Sequence, residues 1–97
     1  MIERHITCAI QPDRTGAFEA FFAGQYGPTM AKAPGFVAVS LLRELDSPTR
    51  YQMVLRWEDA ESAAGWRTSP AHEALQPALT DMYTEVEVQI QGYEVVV

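Results

Sequence analysis

The chain has one cysteine, Cys8, in 97 residues. It can form no disulfide within the chain and cannot build a cysteine-rich metal site, so Cys8 reads as a small buried apolar side chain rather than a reactive thiol. Cations are also scarce. With 7 Lys and Arg against 13 Asp and Glu the net charge is -6, which repels phosphate backbones and anionic lipid, so neither nucleic acid nor a membrane surface is an expected partner. Long hydrophobic runs are missing, and the opening residues "MIERHITC" lack the basic flank and apolar segment of a secretory signal. A cytoplasmic location is the expectation. No His/Asp/Glu cluster has metal-ligand spacing, and neither a glycine-rich phosphate loop nor a G-x-S-x-G elbow occurs. The adjacent carboxylates Glu58 and Asp59 stand where a helix begins, where capping explains them. No metal and no cofactor is therefore expected.

Apolar side chains, by contrast, are plentiful: 47% of the chain is hydrophobic and 10% aromatic. A chain of 97 residues is read as one domain, 1–97, and a domain so small leaves much apolar surface uncovered. A homodimer would cover it.

Alternation in "IERHITCAI" puts Ile2, Ile6, Cys8 and Ile10 on one face of a first strand, with Arg4 as the polar exception, and Glu3, His5 and Thr7 on the other. Asp13 then caps a helix whose stripe is Phe18, Phe21, Phe22, Tyr26 and Met30, with a kink expected near Gly27-Pro28. Strands follow at Phe36 to about Leu45 and at Arg50 to Trp57, joined through the turn formers "DSPT". Asp59 caps a short helix to about Arg67, and Ser69-Pro70 starts another on which His72, Leu75, Gln76, Leu79, Met82 and Tyr83 share a broad arc, with a kink expected at Pro77. In "EVEVQIQGYEVVV" the apolar positions change phase at Gln91-Gly92, which predicts a bulge or bend there. The order β, α, β, β, α, β predicts an α+β, ferredoxin-like fold: a four-stranded antiparallel sheet with helices on one face. Phe36, Ala38, Leu42 and Val54 are expected on the opposite face, where a second sheet could pack, with the last strand reaching across to the partner.

Residues 34–75, "PGFVAVSLLRELDSPTRYQMVLRWEDAESAAGWRTSPAHEAL", resemble the antibiotic biosynthesis monooxygenase family of dimeric α+β barrels. The likeness is carried by Pro-Gly before the second strand, Trp-Glu-Asp closing the third, the helical Trp66, and Ser69 followed by His72. It implies a homodimer with a pocket between sheet and helices in each subunit. In some members that pocket oxidises phenolic aromatics with dioxygen and no cofactor; in others it degrades haem. Cofactor-free oxygenation needs a dry pocket, a base that turns the substrate into an electron-rich anion, and polar groups that stabilise the charge.

By that resemblance Trp57 and Trp66 are pocket-lining aromatics; packing at the strand-to-helix corner and on the helix is the alternative for each. His72 is the candidate proton acceptor, or else a partner of its own helix end. Arg4 could balance a substrate anion from the pocket edge, and Tyr26 and Tyr83 could donate phenolic hydrogen bonds, although a solvated arginine and core tyrosines explain these residues equally. His5 is expected at the sheet-sheet surface. The haem-degrading pattern, as the resemblance carries it, asks for an Asn on the first strand and an axial His ten residues after the helical Trp. Neither is present: the inward positions are Ile2, Arg4, Ile6, Cys8 and Ile10, and Gln76 stands where the histidine would be. The expectation is a cofactor-independent monooxygenase acting on a small phenolic or quinol-like compound with dioxygen. The alternative is a non-catalytic dimeric barrel, or one that binds haem or another small ligand, with haem degradation disfavoured.

Overall fold

Strand β1, Ile2–Ala9, keeps the alternation of its sequence in the computed structural model, which describes residues 1–84 and 88–97. Arg4, Cys8 and, just beyond the strand, Ile10 are buried on the helix side. Antiparallel neighbours flank β1: β3 (Ser47–Trp57) on one edge and β4 (Gln89–Glu94) on the other, with β2 (Phe36–Glu44) outside β3. The order β2-β3-β1-β4 is that of the ferredoxin-like fold, and the helices carry the core onto one face of the sheet. On β3 the inward residues Tyr51, Met53, Leu55 and Trp57 are each about fully buried, at 1%, 1%, 1% and 0% exposure.

The first helical region departs from expectation at both ends. Asp13 caps nothing: it lies inside a single 3-10 turn, Pro12–Arg14, and helix α1 (Thr15–Phe21) starts without a side-chain cap. Pro12 at the head of the turn fixes the entry geometry that a cap would otherwise provide. Downstream, α1 widens into a π turn over Phe22–Tyr26, closed by the Gly27 N–H donating to the Phe22 carbonyl, before α2 (Gly27–Met30) resumes. Pro28 has no N–H and its ring crowds the carbonyl one turn back, and the wider turn relieves that conflict where a kink was expected. The stripe itself is inward, with Phe18, Phe22, Tyr26 and Met30 buried and Phe21 half-buried.

Gly35 joins α2 to β2 at a φ of 81°, a conformation side chains disfavour, and a Cβ there would overlap Ser62. Just after it a bulge at Val37 shifts the β2–β3 register between Phe36 and Ala38. The bulge corrects the expected faces: Phe36 turns to the core, its ring 5.8 Å from that of Trp57 and edge-on, while Ala38 and Leu42 stand opposite Arg56 and Gln52 on the outer face with Val54. The β2–β3 turn is tighter than the sequence implies. Leu45 and Asp46 form it, and Ser47 and Pro48 already belong to β3.

Asp59 caps α3 (Ala60–Arg67), accepting the Ser62 N–H at 2.8 Å. Ser69 caps α4 (Pro70–Thr80), which runs on through Pro77. In β4 no bulge occurs at Gly92. Pairing with β1 runs unbroken from Thr7↔Gln89 to Ile2↔Glu94, so Ile90 faces the helices and Tyr93 the outer side; the change of apolar phase is a change of the face served, not of the backbone. Val86, part of the apolar series expected there, lies outside the described residues. On the outer face His5 Nε2 sits 2.7 Å from Glu3, which also accepts from Arg56 at 2.6 Å, and the His5 ring lies 4.6 Å from Tyr93. No helix among the described residues is long and apolar enough to cross a membrane.

Candidate active site

Three rings meet where α3, α4 and the π turn converge. Trp66 lies 5.2 Å from His72 and 5.8 Å from Tyr26, both edge-on, and Tyr26 lies 6.2 Å from His72. Ser69 fixes the corner: its hydroxyl donates to the Trp66 carbonyl at 2.7 Å and accepts the His72 N–H at 3.2 Å. One serine thus sets the last turn of α3 and the first of α4 in a single register, which holds the imidazole against the indole. Behind Trp66, Trp57 stacks at 6.5 Å with 27° between the rings.

Arg4, Tyr26, His72 and Tyr83, four of the residues singled out in the sequence, line one cleft of about 350 Å³ between the sheet and α4. Ile6 and Met53 floor it, and Arg67, Gln76 and Thr80 complete its wall. The two tryptophans are placed elsewhere. Trp66 stands between Trp57 and His72 and lines a separate, more apolar cleft of about 560 Å³ with Lys32, Pro34 and Ser62, while Trp57 is fully buried behind it. Gln76 and Thr80 were within reach of sequence reasoning, since they follow His72 at helical spacing of four and eight. Arg67 carried no such signal: it ends α3, and only the tertiary fold brings it beside Arg4.

The charges of the cleft are one-sided. Arg4 is 8% exposed, and among the described residues neither it nor Arg67 forms an ion pair with a carboxylate. Burial, with the nearby positive Arg67, lowers the Arg4 pKa from its ordinary value, and the guanidinium remains charged. His72 is half-buried, and its Nδ1, itself buried, has no hydrogen-bond partner among the described residues. Burial pulls its pKa down, the Arg67 backbone opposes this, and the charge of Arg4 adds to the lowering, so the neutral imidazole is favoured. Burial raises the Tyr26 phenol against the opposing effects of Trp66 and Arg4, and burial raises Tyr83 further. Both therefore act as O–H groups. Cys8, behind Tyr83, is pushed up to about 11 by burial and is an inert thiol at neutral pH. Among the described residues no group of three His, Cys, Asp or Glu is placed to hold a metal ion. The cleft can receive a flat molecule, accept a proton at an imidazole and neutralise negative charge at two guanidiniums.

Sheet order, helices on one face and a cleft between them define a ferredoxin-like α+β domain with its candidate chemistry on the helix side. The sequence profile described as antibiotic biosynthesis monooxygenase matches residues 1–78, and the chain belongs to that family. Solved structures agree on the fold. An antibiotic biosynthesis monooxygenase-type protein of Bordetella bronchiseptica superposes with a TM-score of 0.87 at 27% identity, covering 99% of this chain and 97% of that one. SnoaB of Streptomyces nogalater, a cofactor-independent oxygenase, gives 0.85 at 22% identity, covering 97% and 91%. An antibiotic biosynthesis monooxygenase-type protein of Nitrosomonas europaea gives 0.85 at 18% identity over 100% of both chains. No curated protein matches the sequence.

Proposed function

We propose that this chain is a cofactor-independent oxygenase acting on a small phenolic or quinol-like aromatic bound in the cleft of Arg4, Tyr26, His72 and Tyr83. The observation that carries the reading is His72: a half-buried imidazole whose pKa is lowered by burial, with a ring nitrogen unpartnered among the described residues, beside a cleft that also presents a buried cation. In the proposed reaction the neutral imidazole accepts the substrate's acidic proton. Arg4 and the Tyr26 and Tyr83 hydroxyls stabilise the resulting anion, whose high electron density allows it to reduce dioxygen. One oxygen atom enters the product as a carbonyl and the other leaves as water with two hydrogens from the substrate. Trp66 holds His72 and Tyr26 in place, and Trp57 supports Trp66 from behind. Family membership and the likeness to a cofactor-independent oxygenase support this reading.

We further propose a homodimer that pairs through the outer sheet face, where Leu42 and Tyr93 are each 49% exposed beside Ala38 and Val54. Sedimentation as a folded monomer at micromolar concentration would remove that part. The catalytic reading is tested by oxygen uptake with a panel of anthrones and quinols. Wild-type turnover should fall roughly 100-fold or more in His72→Ala, the scale of a lost general base. Turnover unchanged in that variant refutes the role of His72.

A further inference from the structure

The cleft wall opposes the charge of the chain that builds it. The protein carries 13 Asp and Glu and a net charge of -6. Yet among the described residues no carboxylate lines this cleft, while two guanidiniums do, Arg4 from the sheet and Arg67 from the end of α3. Arg67 is exposed at the rim, whereas Arg4 is buried at 8% exposure with no carboxylate partner among the described residues. A buried charge is normally paired, because leaving it alone in the native state costs several kilocalories per mole of lost hydration. Arg4 lines the cleft, so a counter-charge can reach it from there. A phenol that loses its proton during the reaction supplies that charge only transiently, which leaves the arginine unpaired in the complex as first formed.

We infer that the natural ligand enters as an anion, an aromatic bearing a carboxylate, and that Arg4 is the specificity-determining residue that receives it. The inference rests on the cleft being the substrate site proposed above. The planar guanidinium matches a carboxylate through two parallel N–H···O bonds, and Arg67 at the rim attracts the anion against the negative field of the rest of the surface. The ring then lies over Ile6 and Met53, within reach of His72.

Titration calorimetry at neutral pH with three naphthalenes of similar shape tests this: 2-naphthoate, charged; 2-naphthamide, its neutral counterpart; and 2-naphthol, a phenol neutral in solution. Wild type should bind the carboxylate roughly tenfold or more tightly than the amide, the scale of a charge-assisted hydrogen-bonded pair. Arg4→Met should lose that preference while keeping its affinity for the amide, which also shows that the variant is folded. Arg4→Lys should keep part of it. Equal binding of carboxylate and amide by wild type, or a preference that survives in Arg4→Met, overturns the inference and leaves the aromatic cleft standing. Naphthol binding as tightly as naphthoate also overturns it, leaving Arg4 only the role toward the phenolate proposed above. Binding of none of the three at millimolar concentration overturns both the cleft as an aromatic site and the inference built on it.

Discussion

Replacing Arg4 by methionine should make the protein more stable. Arg4 is a buried residue on the helix side of the sheet, and no carboxylate among the described residues repays the hydration its guanidinium loses. Exchanging even well-paired buried charges for apolar side chains of similar volume commonly gains about 1–4 kcal/mol. The cleft leaves water in reach of Arg4, so the lower part of that range applies, about 1–2 kcal/mol. Methionine keeps an unbranched apolar stem over Ile6 and Met53, so little packing is lost. For a domain of this size each kcal/mol moves Tm by roughly 4–8 °C, which places the expected rise at about 5–15 °C. Thermal unfolding followed by circular dichroism reads it, at one fixed protein concentration because association would shift Tm as well. Arg4→Lys, which keeps the charge, should not gain. A loss of about 1 kcal/mol or more in Arg4→Met would refute the reasoning, because a guanidinium that stabilises the fold is already bound by it and is not held open for an outside anion.

His72 gives a pH dependence of definite sign. Its folded pKa lies below the ordinary 6.5, so the unfolded chain binds the extra proton first; the stability contribution is full above about 6.5 and is lost as pH falls through the folded value, and His72→Gln should flatten that acid limb in urea titrations. Activity should persist below pH 6.5 for the same reason, since the base is still neutral there. Gly35→Ala should cost roughly 2 kcal/mol or more in chemical denaturation, from the left-handed backbone and the overlap with Ser62. Ser69→Ala removes the cap of α4 and its bond to the Trp66 carbonyl; a loss of about 1 kcal/mol is expected, with a larger fractional loss of turnover than of stability because the His72 ring loses its register.

Period-two and helical patterns were enough to place the sheet, because β1 and β3 alternate with few exceptions and burial rewards that alternation directly. Where they failed, a local backbone adjustment won. Val37 adds one residue to β2 and reverses the face of Phe36, and nothing in "FVAVS" announces a bulge. Gly92 shows the opposite case, a phase change in the sequence with none in the strand. The site was legible to the extent that it lies on regular elements. Arg4, Tyr26 and His72 each belonged to an inward stripe, and the fold brings them to one cleft; Tyr83, expected on the helix of His72, lies beyond the end of that helix at Thr80 and reaches the cleft from a bridge with Ile10. The arginine, however, had solvation at a strand end as its default reading, and its burial follows from β4 and α4 closing over it. Distances between stripes are not in the pattern, so the sequence could not tell that the Trp66 ring packs against both Trp57 and His72.

The π turn at Phe22–Tyr26 has a consequence for how this cleft can change over evolutionary time. A π turn accommodates one residue more than an α-helix spanning the same ends, so its loss by a single deletion would leave α1 and α2 nearly where they are. The residues inside the turn would be reassigned by about a third of a revolution, and the phenol of Tyr26 would leave the contact with Trp66 and His72. A change of one codon in length, without any substitution, can thus exchange the side chain presented to the cleft while sheet, core and cation stay in place. Such a fold can diversify the lining of its cleft faster than it alters how it stands.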